Sequence, residues 1–172
     1  MDQKSVIRAL AALVLVCLGC ATAARADETC NSPYISKLIK GQEDYVHVWT
    51  LGVEGLGDGS DKLVTVDVNP KSKSYGKVIH SVSTGARAEA HHMGFTDDRR
   101  HIWAGGLSDN RVWVFDIATN PAKPKLVQTI TDLGDKSGYL GPHTYYALPG
   151  RMLVQGLSNT KDKSGVTGMA LY

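Results

Sequence analysis

The residues with the most chemistry to offer are histidines. His91 and His92 stand side by side in "AEAHHMGF", with Glu89 two positions ahead, and His143 lies in "GPHTYY". Imidazole nitrogen suits copper, zinc, iron and nickel. A carboxylate such as Glu89 is a natural acceptor for the second ring N–H of a ligating histidine. Neighbours on a regular strand point to opposite faces, so His91 can join His92 at one site only where the chain is irregular. His47, His80 and His101 read instead as hydrogen-bonding fillers near strand ends.

Cys30, in "ETCNSPY", is the other candidate. The chain opens with Lys4 and Arg8, an apolar run from Ala9 to Ala24 and the triplet Ala24-Arg25-Ala26. This is the pattern of a secretory signal peptide over residues 1–26, cleaved after Ala26, which directs the protein to the periplasm. A lipoprotein signal acylated at Cys20 is the rival. Removing Cys17 and Cys20 with the leader leaves Cys30 alone, so no intramolecular disulfide framework is available. Its thiol is then packing, an intermolecular link or sulfur chemistry.

Of 19 basic and 17 acidic residues, Lys4, Arg8, Arg25 and Asp2 leave with the leader, and the remainder is balanced. No basic stripe remains for nucleic acid or an anionic membrane. There is no Ser-His-Asp order and no dinucleotide fingerprint.

The elements that must position these side chains are short. Runs rich in Val, Ile, Tyr and Trp, punctuated by Gly, Asp, Asn and Pro, predict strands over 45–51, 62–68, 77–82, 101–105, 111–117, 125–130, 144–148, 151–156 and 168–172. No helical period persists. "GVEGLGDGSDK" reads as a hairpin connection rather than a phosphate loop.

Sliding the chain against itself sets "LVTVDVNPKSKSYGKVIHSV" over "VWVFDIATNPAKPKLVQTI", with Asp67 answering Asp116 and Val78 answering Val127 at 49 residues. A second overlap pairs His92 with His143 at 51 and Leu107 with Leu157 at 50. Asp67 and Asp116, each before a turn, are expected to cap backbone. Asp97-Asp98-Arg99-Arg100 is expected to form a solvated inter-strand turn.

A four-strand unit repeating about every fifty residues is the pattern of a β-propeller blade. The fold class is therefore all-β, with about three incomplete blades over residues 27–172. Propellers need roughly four to eight blades to close, so the chain reads as the N-terminal part of a longer domain or as a subunit closed by another chain, a possible homo-oligomer. Matched phase brings His92 and His143 to one mouth of the channel, just before the innermost strand.

"DKLVTVDVNPKSKSYGKVIH", "EAHHMGFTDDRRHIWAGGL", "NPAKPKLV" and "GPHTYYALPGRMLVQGLSN" resemble the selenium-binding protein and methanethiol oxidase family, in its exported bacterial branch, from about Thr29 to the C-terminus. The resemblance implies a seven-bladed propeller and a copper-dependent oxidase that turns methanethiol, O2 and water into formaldehyde, hydrogen sulfide and hydrogen peroxide. It implies His91, His92 and His143 as metal ligands and Cys30 as a group for selenium or thiol chemistry, with Glu89 beside them. Family members are more than twice this length, with a further metal histidine in the additional part. This chain alone is thus expected to bind copper weakly or not at all. The alternatives are a non-catalytic selenium- or metal-binding propeller and an inactive truncated remnant.

Overall fold

The computed structural model describes Leu38, residues 40–165 and residues 167–172. The proposed leader and Cys30 lie outside the described residues.

The strands are β1 (Tyr45–Thr50), β2 (Lys62–Asp67), β3 (Val78–Ser83), β4 (Ala90–Phe95), β5 (His101–Gly106), β6 (Arg111–Asp116), β7 (Lys125–Ile130), β8 (Tyr139–Leu148), β9 (Arg151–Asn159) and β10 (Met169–Leu171). They form three antiparallel sheets among the described residues, β1-β2-β3, β4-β5-β6-β7 and β8-β9-β10, each from consecutive strands. The fold is all-β, as composition and punctuation require. Two elements depart from the sequence-based expectation. β4 is not among the expected strands, because its adjacent histidines and Gly94 hide the alternation. One turn of helix, α1 (Leu133–Ser137), joins the second and third sheets and ends on left-handed Gly138, φ 74°, too short for a period to register.

The internal repeat is real at the level of pairing. Asp67 faces Tyr45 and Asp116 faces His101, and β2 and β6 each carry a register shift one residue before the aspartate's neighbour, between Thr65 and Val66 and between Val114 and Phe115. Leu126, not Val127, is the counterpart of Val78, because the connection after Asp116 is one residue shorter than that after Asp67. Both aspartates cap their turns: Asp67 accepts the Asn69 N–H at 2.9 Å and the Ser72 hydroxyl, and Asp116 accepts the Ala118 N–H at 2.8 Å and the Thr119 hydroxyl. The Asp97–Arg100 turn is more engaged than expected. Arg99 forms a two-pronged pair with Glu43 at 2.9 and 3.0 Å and stacks over Phe95, and Asp97 accepts the Gly150 N–H.

The two inner strands of the middle sheet, β5 and β6, are apolar on both faces and bury eight of their twelve residues. Ile102, Ala104, Trp113 and Phe115 pack with Leu63 and Trp49 of the first sheet. Val112, Val114 and Trp103, on the alternate positions, pack with Met152, Val154 and Tyr145 of the third. Sheets stacked in this way pack roughly 10 Å apart, and β4 lies between β1 and β8.

Candidate metal centre

The histidine cluster is made by two matching β-bulges. In β4 the pairing runs from Ala90↔Gly106 to Met93↔Ala104, so His91 and His92 together oppose Gly105 alone. In β8 it runs from Pro142↔Gly156 to Tyr145↔Val154, so His143 and Thr144 oppose Gln155. An extra residue breaks the up-down alternation of a strand. That irregularity lets His91 share a site with its neighbour. The register also corrects the sequence overlap: His143 corresponds to His91, 52 residues earlier, and His92 corresponds to Thr144. All three histidines lie within strands rather than just ahead of them.

The three ligand nitrogens lie within 4.8 Å of one another. Ring centroids are 4.8 Å apart for His91–His92 and His91–His143, and 4.2 Å for His92–His143. Burial, then the positive form of His91, pushes the His92 pKa down. Burial, then His92 and His91, does the same for His143. Both rings therefore favour the neutral state that a metal requires. Two nitrogens each about 2 Å from one ion stand at most ~4 Å apart, so small ring rotations close the set onto a cation. The Thr144 hydroxyl lies 3.0 Å from His143 Nδ1, a contact that would hold that ring and leave Nε2 to meet a cation.

Glu89 sits on left-handed backbone, φ 61°, where the corresponding residue of β8 is Gly141, φ 67°. It is exposed, its carbonyl accepts the Leu107 N–H, and its carboxylate is not among the groups clustered with the imidazoles. The other histidines behave as fillers where bonds are seen: His47 Nδ1 lies 3.2 Å from Thr65 Oγ1 and His80 Nε2 lies 3.1 Å from the Pro124 carbonyl.

Two positioning residues do not stand out in the sequence. Asp61, fully buried, accepts the Gly52 N–H at 2.7 Å and the Ala88 N–H at 3.0 Å, and so anchors the chain entering β4. Gly105 lets β8 approach, since a Cβ there would meet the Tyr145 hydroxyl and stand 2.7 Å from the Pro142 carbonyl. Asp61 differs in no local pattern from a turn aspartate, and only the "AGG" of β5 hints at close approach.

The sequence pattern of the family described as 56kDa selenium binding protein (SBP56) matches residues 24–171. The chain belongs to this selenium-binding protein family. It is 65% identical over 147 residues to a methanethiol oxidase of Hyphomicrobium sp, covering 86% of this chain and 34% of that protein. It is 54% identical over 165 residues to a methanethiol oxidase of Ruegeria pomeroyi, covering 95% and 37%. Selenium-binding protein 2 of Arabidopsis thaliana is 31% identical over 76% of this chain and 30% of its own length. A hypothetical selenium-binding protein from Sulfolobus tokodaii, solved by X-ray, superposes with a TM-score of 0.70 at 28% identity over 77% of this chain and 32% of that one. The chain spans about a third of the length of these selenium-binding family relatives.

Proposed function

We propose that this chain supplies three imidazole ligands of the copper site of an exported methanethiol oxidase, built on a propeller that has seven blades at full family length. The observation that carries the reading is the meeting of His91, His92 and His143 at matched bulges of successive sheets. The names of the two bacterial relatives supply the substrate and the type of reaction, and the family resemblance supplies its products. One molecule each of methanethiol, dioxygen and water gives one each of formaldehyde, hydrogen sulfide and hydrogen peroxide, which balances in every atom.

Copper, when bound, supplies Lewis acidity toward a thiol sulfur and electron exchange with oxygen. The chain's own residues prepare the place for it. His92 and His143, held neutral at neutral pH, offer lone pairs rather than protons. Thr144 orients His143. In the proposal Glu89 turns toward an imidazole N–H, and Cys30 handles sulfur. The leader over residues 1–26 carries the protein to the periplasm.

The test uses a chain of the relatives' full length. Replacing His92 and His143 together abolishes both copper content and hydrogen peroxide release on addition of methanethiol, whereas retained turnover removes the site assignment. A second reading, a selenium or metal carrier without turnover, draws support from the names of the Arabidopsis relatives. A copper-loaded protein that releases no peroxide favours it.

A further inference from the structure

What Asp61 does for the second sheet has a counterpart in the third. Asp61 stands just ahead of β2, and Asn110, 49 residues on, stands just ahead of β6. Asp61 accepts the Ala88 N–H, three residues before His91, and Asn110 Oδ1 accepts the Gly141 N–H at 3.0 Å, two residues before His143. In each case a side chain of one sheet holds the chain that leads into the histidine bulge of the next.

The turn that carries Asn110 also reaches the other half of the cluster. Its backbone donates to both carbonyls ahead of the first bulge, Leu107 N–H to Glu89 and Ser108 N–H to Ala88, each at 3.1 Å. The Leu107 side chain lies against Gly141, where a Cβ would stand 3.3 Å from Leu107 Cδ1. The four residues from Leu107 to Asn110 therefore grip the chain two residues before His91 and again two residues before His143.

Asn110 suits this place. Its backbone is left-handed, φ 59°, a region in which asparagine is enriched among non-glycine residues. The ring it serves, His143, has its centroid 4.2 Å from that of His92 and 4.8 Å from that of His91, so a small displacement of the β8 bulge opens the cluster. We propose that the Leu107–Asn110 turn sets the spacing between the two halves of the histidine cluster, with Asn110 the positioning residue for His143. The inference rests on the reading of the cluster as a metal site and adds the residue that fixes its geometry.

Two substitutions in the 172-residue chain separate the bond from the backbone. Asn110→Gly removes the acceptor and adopts the left-handed region without strain, so its urea midpoint should stay near that of the wild type. Asn110→Asp keeps an acceptor oxygen, as Asp61 does. In the metal-free chain with labelled histidine, the Cε1–H signals of His91, His92 and His143 should move in Asn110→Gly and stay close to their wild-type positions in Asn110→Asp. The His80 signal should hold still in both. Copper(II) affinity should fall about tenfold in Asn110→Gly, the lower end of what loss of an outer-shell partner brings, and recover in Asn110→Asp. Cluster signals that stay in place in Asn110→Gly, or that move as far in Asn110→Asp, overturn the proposal. So does rapid exchange of the Gly141 amide in the wild type, a measurement that needs no variant. A wild-type chain that takes up no copper removes the metal reading instead, and the metal-free histidine signals still decide the positioning role.

Discussion

His91 and His143 hold one backbone position in two successive sheets, each the first residue of a two-residue bulge, 52 residues apart. The site is therefore a product of repetition. His92 is the addition, standing where the other sheet has Thr144.

Among the described residues no further donor clusters with the three imidazoles, so titration of this chain should show weak copper binding, and tight stoichiometric uptake would contradict the need for donors elsewhere. His143→Ala should lower even this affinity by more than the ~10–100-fold that accompanies loss of an outer-shell partner. Copper titration followed by calorimetry or paramagnetic resonance reads both.

Asp61→Ala leaves the Gly52 and Ala88 N–H groups buried without an acceptor. At about 1–3 kcal/mol for each unsatisfied group, the loss of stability should be several kcal/mol by urea unfolding. Asp61→Asn, which keeps one acceptor oxygen, should lie between the alanine variant and the wild type.

Gly105→Ala places a methyl group against the Tyr145 hydroxyl and the Pro142 carbonyl. Overpacking of this kind costs about 1–3 kcal/mol. Because Pro142 and Tyr145 flank His143, copper affinity should fall together with the denaturation midpoint.

Glu89→Gly separates backbone from carboxylate. A non-glycine residue in the left-handed region is strained by about 1–2 kcal/mol, and glycine costs about 0.5–1 kcal/mol of extra chain entropy. The variant should match or slightly exceed wild-type stability. If Glu89 orients an imidazole, copper binding weakens all the same; unchanged affinity would end that role.

His47 sets a pH dependence. Burial, then the Arg99 charge, lowers its pKa to about 4, against the pull of Glu43. The unfolded ring titrates near 6.5, so between those values the unfolded chain binds the extra proton. Its contribution to stability is complete above about pH 6.5 and is lost as pH falls toward 4. His47→Gln should flatten the urea midpoint over that window, and an equal slope in the variant would assign the effect to other groups.

Much of this is legible in the chain itself. Alternating β-branched residues and Gly-Asp-Pro punctuation locate most strands, and self-comparison exposes the repeat. The convergence of His91, His92 and His143 is visible as matched phase, but the pairing comes out one residue off, because the offset is 52 through β4 and β8 and 50 through β5 and β9, the β8–β9 turn being the shorter by two residues, and a single overlap falls between them. Gly94 and the histidine pair disguise β4. Asp61 is invisible for a different reason: Gly52 meets it only when the β1–β2 hairpin closes, and Ala88 only when the chain entering β4 folds back against that hairpin.

Among the described residues every strand pairs only with those next to it in sequence, so a growing polypeptide can complete one sheet before the next has been synthesised. His91 and His92 arrive with the second sheet and His143 only with the third. A nascent chain halted between them would hold two of the three imidazoles, and metal capture must wait for the last arrival.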